Sequence, residues 1–293
     1  MQKSLIQLTL AAILCAACAS TQGPGSILPE PQTQSQTPSN SISKSSIHSW
    51  QFKFVDEVHS YTSVTQTTIE ALSTPASSVD TLTTRSHFSI AIDQRQVPAA
   101  ISGDFNQIEI TISRQSHNQP PVASPFAFAG SISSGQVLLH LIPISTDSEF
   151  CSNPTASYLS ELHAGVLTLP AHVQTGSTWT DTLSAITCSS NHLPLTIQII
   201  RFYQVQNMIQ EVNLELLLVK RTEQVQLSGS GSQDQHQMQI RGQGTGSADL
   251  LLDPKTGTLQ TAQTNLRLDL TLLTSGKSYQ FRQQSIQRLD LIR

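Results

Sequence analysis

From Leu195 to the end, this chain alternates apolar and polar side chains so regularly that few folds stay open to it. Leu266, Leu268, Leu270 and Leu272 are separated by Arg267, Asp269 and Thr271, while Val212, Leu214, Leu216 and Leu218 are separated by Asn213, Glu215 and Leu217. Successive side chains of a strand point to opposite faces, so this pattern predicts strands with one dry and one wet face. Leu195 to Val205 is strand-like through Ile197, Ile199 and Tyr203. Val225 with Leu227 starts another strand, and Met238 and Ile240 lead to Leu250 and Leu252. Asp253-Pro-Lys-Thr-Gly257 supplies a turn, because proline suits the first central position and glycine the left-handed one. A second turn at Ser275-Gly276 sends the chain back through Tyr279, Phe281, Ile286, Leu289 and Leu291. The result is an antiparallel meander with an apolar face that must be covered by another sheet, by a helix or by closure into a barrel.

The same period appears upstream. Trp50, Phe52 and Phe54 alternate with Gln51 and Lys53, Tyr61 and Val64 precede a Thr-rich stretch to Ile69, and Phe88, Ile90, Ile92 and Ile108, Ile110, Ile112 repeat the pattern. The nearly continuous apolar run Val137 to Ile142 predicts a strand buried on both faces. Asn118 to Gly130 holds three prolines, which exclude a central strand, so it predicts a loop with an apolar tip. Phe126 and Phe128 in that tip are the candidate apolar contact residues, for packing over the core or as a lid against a partner. Asn153-Pro-Thr followed by Tyr158, Leu159 and Leu162 predicts one short helix ending at Gly165, and Gly176 to Asp181 a turn into a strand towards Cys188. The expected fold class is mainly β: large antiparallel sheets forming a curved half-barrel or sandwich, with at most one short helix. The body spans 48–293, and a duplication into lobes 48–145 and 146–293 is compatible with the strand content.

Ahead of this body the composition changes twice. Residues 1–17 carry one cation, Lys3, a short apolar run and then small residues, the order of a secretory signal too short to span a bilayer permanently. Residues 18–47 are rich in Gln, Ser, Thr and Pro, with Glu30 and Lys44 their only charges. They have no apolar period and predict a disordered tether, spanning about 30 Å as a flexible coil.

At the junction, Ala16-Ala17-Cys18 resembles the end of the lipobox of bacterial lipoproteins, departing from it at Cys15, where leucine is commonest. The resemblance implies cleavage before Cys18 and lipid attachment to its thiol. More than one acyl chain, at about 0.8 kcal/mol per buried CH₂, holds a protein stably on a membrane. It further implies, through Ala19 in place of Asp, sorting to an outer membrane with the body facing the periplasm.

The remaining cysteines, Cys151 and Cys188, are expected to pair in an oxidising compartment, contributing about 3 to 4 kcal/mol by closing their loop. Neither has a second cysteine at the short spacing of a metal site. Charged residues make up 12% of the chain against a usual value of about 25%. The formal charge is −4 with no basic cluster, which argues against nucleic acid as a partner.

Three short motifs, Ser41-Ile-Ser-Lys44, Ser189-Ser-Asn191 and Lys255-Thr-Gly257, resemble in order those of penicillin-recognising serine enzymes. Ser41 lies in the tether and Lys255 in a hairpin turn, whereas that family's nucleophile opens a helix. Gly242, Gly244 and Gly246 precede a strand without a following lysine, which suits strand bends and not a phosphate loop. His163 and His172 show no metal spacing, and Glu215 and Asp269 suit a solvated face. No catalytic residue, metal or cofactor is expected. The functional expectation is a non-enzymatic envelope protein that binds an apolar ligand or a partner protein. A structural or assembly role is the alternative, and an exported hydrolase or penicillin-recognising enzyme comes third.

Overall fold

The computed structural model describes residues 48–54, 57–72, 79–93, 96–112, 126–133, 135–142, 162, 165–188, 193–211, 214–233 and 236–292. The signal and tether, Cys18, Cys151, the helix start Asn153 to Leu159, and Ser41, Lys44 and Ser189 to Asn191 lie outside these residues. So does the expected Cys151–Cys188 pairing.

The strands are β1 (Ser49–Gln51), β2 (His59–Ala71), β3 (Val79–Asp93), β4 (Ala99–Ile112), β5 (Phe126–Ser133), β6 (Gln136–Ile142) and β7 (His172–Gln174). They continue as β8 (Thr178–Cys188), β9 (Pro194–Glu211), β10 (Leu214–Gln233), β11 (His236–Leu252), β12 (Leu259–Thr274) and β13 (Lys277–Leu291). β1 and β7 form a small separate pair. The other eleven close into a barrel in the order β10-β11-β12-β13-β2-β3-β4-β5-β6-β8-β9.

Closure imposes a parity. Each antiparallel pairing reverses strand direction, and a full circuit must restore it, so the number of antiparallel pairings is even. Eleven strands therefore require at least one parallel pair. It falls between β6 and β8, with only four residue pairs from Gln136↔Thr182 to Leu139↔Ala185. All ten other barrel pairings are antiparallel.

The mainly β fold is thus the expected one, with its curvature carried to full closure. Residue 145 does not divide it into lobes, because β13 pairs with β2 and β6 with β8, joining both halves in one wall. Three local expectations are corrected. Phe126 and Phe128 belong to strand β5 and point inward, with Phe128 fully buried and Phe126 stacked 4.7 Å from Phe105. The prolines that suggested a loop all precede β5. β6 is not buried on both faces: Val137 and Leu139 are buried, but Leu138 is 50% exposed. Val225 and Leu227 do not start a new strand, because Lys220 to Glu223 continue β10 between them and Leu214.

The leucine face predicted from the alternation lines the barrel interior, with Leu266, Leu268, Leu270 and Leu272 all buried. An eight-stranded barrel is just wide enough for its own side chains to fill. With eleven strands, additional chain occupies the space: Leu162 and the segment from Gly165 to Pro170 run inside. Val166 is fully buried, and a methyl at Gly165 would meet Ile90, Leu289 and Phe88. Gly165 and Val166 donate backbone hydrogen bonds to the Leu162 carbonyl at 3.0 and 3.1 Å, one helical turn where the short helix was expected to end. Leu268 lies over Gly244 of β11, so that glycine gives the leucine room.

The outer wall carries the polar half of every strand, including Arg85, Glu109, Lys220, Asp249, Arg282 and Arg288. A bilayer-spanning barrel shows an apolar band outward. Here most leucines face inward, and the outward residues are mainly polar, with Val64, Leu138, Ile186, Phe202 and Ile286 exposed among them.

Candidate functional site

Three features stand out in the barrel: a polar layer in the middle of its interior and one concavity at each end.

The polar layer lies between two apolar ones. Strand register aligns Asp181, Arg201 and Glu223 across β8, β9 and β10, with Trp179, Tyr203 and Arg221 in the neighbouring row. All four charges are buried and sum to zero. Arg201 holds Asp181 through two nitrogens, Nε to Oδ1 at 2.5 Å and Nη2 to Oδ2 at 2.8 Å. Thr168 Oγ1 and the Tyr203 hydroxyl donate to Asp181 Oδ2 at 2.6 and 3.1 Å. Burial opposes the charge on Arg201, but Tyr203, Asp181 and Glu223 outweigh it and hold the guanidinium above its ordinary value. Burial likewise pushes the Tyr203 phenol well up, against the weaker pull of Arg201. Arg201 Nη1 also donates to the Val166 carbonyl at 2.9 Å, and Trp179 Nε1 to that of Thr168 at 2.7 Å. The layer thereby pins the internal segment to the wall.

The second pair is less well satisfied. Arg221 Nε stands 2.6 Å from Glu223 Oε1, but the direction is not that of a hydrogen bond, and the Arg221 nitrogens make none among the described residues. We take this as an ion pair. Thr67, Ser86 and Thr264 also present buried hydroxyls without a partner among the described residues. These atoms are out of contact with solvent, so the layer offers no place where a substrate reaches it. Its chemistry is structural: it fixes which strand faces which.

At the end where β1 lies, a pocket of about 70 Å³ opens between the internal segment, the start of β2 and the turn before β12. Its walls are mixed: Phe54, Ile90, Ile92, Leu167, Leu169 and Leu259 supply apolar surface, and Glu57, His59, Thr256 and Thr258 supply polar groups. The turn follows its sequence: Gly257 is left-handed at φ 75, and Asp253 Oδ1 accepts from the amides of Lys255 and Thr256 at 2.7 and 3.1 Å. Lys255 is thus an exposed turn residue. The Tyr61 hydroxyl in the pocket floor donates to the Leu259 carbonyl at 3.3 Å, and burial raises its pKa.

At the opposite end, a wider groove of about 560 Å³ runs beside the tips of the β10–β11 and β12–β13 hairpins. Ser275 and Gly276, at φ 50 and 73, form the tight turn expected there, and Ser275 Oγ lies 2.9 Å from His236 Nδ1 on the neighbouring hairpin.

No family model matches the chain, and no curated protein matches it. One solved structure with some likeness is OmpF of Salmonella typhi in complex with daunomycin, at 10% identity and a TM-score of 0.22. It covers 81% of this chain and 98% of the other. A likeness of that size carries no argument about this chain.

Of the residues singled out from sequence, Phe126 and Phe128 are core aromatics, packed with Phe105 and, through it, Phe88. Cys188 ends β8, and Cys18 and Cys151 are not among the described residues. Among those residues no group of His, Cys, Asp or Glu is arranged to hold a metal. The buried charges escaped the sequence reading, although a signal for them exists. Arg201 stands in phase with Leu195, Ile197 and Ile199, and Asp181 in phase with Leu183 and Ala185, so each falls on a dry face.

Proposed function

We propose that this chain is an exported, lipid-anchored protein of the cell envelope that binds, without catalysis, the apolar part of a ligand. The observation that carries the reading is the small pocket beside β1, whose aliphatic and aromatic walls lie at the end of the barrel where the described chain begins at His48. A lipid on Cys18 would keep that end towards the membrane, within about 30 Å of tether. The mainly polar outer wall favours a body standing in water on its anchor, and sorting to an outer membrane, facing the periplasm, completes the proposed location. A pocket of about 70 Å³ takes the end of an acyl chain or one apolar side chain, not a whole lipid.

The test uses unlipidated mature protein carrying Cys18→Ala. Titration with decanoate followed by native mass spectrometry should give a one-to-one adduct, and Leu169→Trp, which fills the pocket, should weaken it at least tenfold. Equal binding by the filled variant, or no adduct at millimolar decanoate, refutes the ligand reading. The anchor is tested separately by labelling cells with a palmitate analogue, where undiminished labelling of Cys18→Ala refutes it. A partner protein in an envelope assembly is the second reading, favoured by Leu138 and Ile186, which stand 50% and 55% exposed on the two strands of the parallel seam.

A further inference from the structure

The groove at the end remote from β1 is lined by nine residues, without a carboxylate, lysine or arginine among them. Ser230, Gln239 and Leu273 form one outward row across β10, β11 and β12, so a hydroxyl, an amide and an aliphatic side chain follow one another at strand spacing, about 4.8 Å. Gln237 and Thr274 add hydrogen-bonding groups, and Met238 adds apolar surface. The contact between Ser275 and His236 ties the two hairpin tips together, which holds the groove walls in place before any ligand arrives.

This lining discriminates among ligand classes. A nucleic acid or another polyanion needs lysine or arginine, and the lining has neither. Apolar atoms make up the larger part of the lining, but five of its nine residues are serine, threonine or glutamine, whose polar groups an acyl chain would leave without hydrogen bonds. Neutral donors and acceptors beside a few apolar contacts suit a ligand that is itself neutral, rich in hydroxyl and amide groups, and faced with C–H. That is a sugar chain, whose rings are close in length to the strand spacing. The volume of about 560 Å³ lies within the range of ordinary small-ligand sites, about 300 to 1,000 Å³. We propose that the groove between the β10–β11 and β12–β13 hairpin tips is a binding site for a neutral glycan strand. With strands rising about 3.3 Å per residue and tilted about 40°, β12 places the groove about 40 Å from the end where β1 lies. A glycan there is engaged on the side of the body facing away from the tether.

The test is saturation-transfer NMR on unlipidated mature protein with the tetramer of N-acetylglucosamine as probe, followed by calorimetric titration. The expected result is transfer to the sugar ring protons and saturable binding. The Gln237→Ala/Gln239→Ala double variant should weaken this at least tenfold, and Leu273→Ala should reduce transfer to the ring C–H protons. All three side chains lie at the surface or are half-buried, and circular dichroism checks that the variants are folded. Leu169→Trp, in the pocket at the other end, should leave the sugar titration unchanged. No transfer at millimolar tetramer overturns the proposal, as does a double variant that binds like the parent or a Leu169→Trp variant that abolishes binding.

Discussion

Replacing Asp181 with Asn removes one negative charge from a fully buried pair and leaves the layer of Arg201, Arg221 and Glu223 with one positive charge uncompensated. The carboxylate receives two hydrogen bonds from Arg201, one from Thr168 and one from Tyr203, and an amide oxygen cannot serve all of them. Breaking a buried ion pair from one side costs about 3 to 5 kcal/mol, mostly through the stranded charge. In a protein of this size 1 kcal/mol moves the melting temperature by about 2 to 4 °C, so Asp181→Asn should lower it by about 6 to 20 °C. Calorimetry on unlipidated mature protein measures the shift. Adding Arg201→Met should recover most of the loss, because the layer then holds only Arg221 and Glu223, whose charges cancel. Since Arg201 and Trp179 also hold the Val166 and Thr168 carbonyls, Asp181→Asn should loosen the segment bearing Leu167 and Leu169 and weaken decanoate binding. A melting temperature lowered by less than about 2 °C would show that water reaches the layer and would refute the account of it as a dry clamp.

Other expectations concern single features. Tyr61 and Tyr203 are held protonated by burial, so the unfolded chain loses those protons at lower pH than the folded one. Their stabilising contribution is complete below the ordinary phenol value of about 10 and declines as pH rises above it. Absorbance at 295 nm should therefore show their phenolate signal appearing together with unfolding. Gly257→Ala places a side chain at φ 75 against Phe52, Phe54 and Leu169, and should cost about 1 to 2 kcal/mol by denaturant titration. Leu138→Lys should change stability by no more than about 0.5 kcal/mol, while Leu139→Lys, one residue along on the inner face, should prevent folding.

The alternation of the C-terminal strands revealed their faces, because a period of two is a direct image of the pleat, and both glycine turns there were equally legible. Closure was not, since a half-barrel and a barrel need the same alternation and differ only in whether the first and last strands meet. Lys220-Arg-Thr-Glu223 looked like a break in β10 because four polar residues in sequence interrupt an apolar period. Two of them face inward and meet each other, which compensates their burial and lets the strand run on. A bulge between Leu217 and Val219 also shifts the phase within that strand, so Leu216 and Leu217 are both buried and the simple alternation of leucines fails there. Neither end concavity could be read from sequence, because each is assembled from residues far apart in the chain.

The single parallel pairing limits how this architecture can grow or shrink. Adding or removing a whole hairpin changes the strand count by two and leaves one parallel seam somewhere in the wall. Adding one strand makes the count even, and it meets both neighbours antiparallel only between β6 and β8; anywhere else it creates a second parallel pair. Variation by insertion should therefore come in hairpins elsewhere in the wall, and as a single strand at the seam between β6 and β8, which is held by four residue pairs.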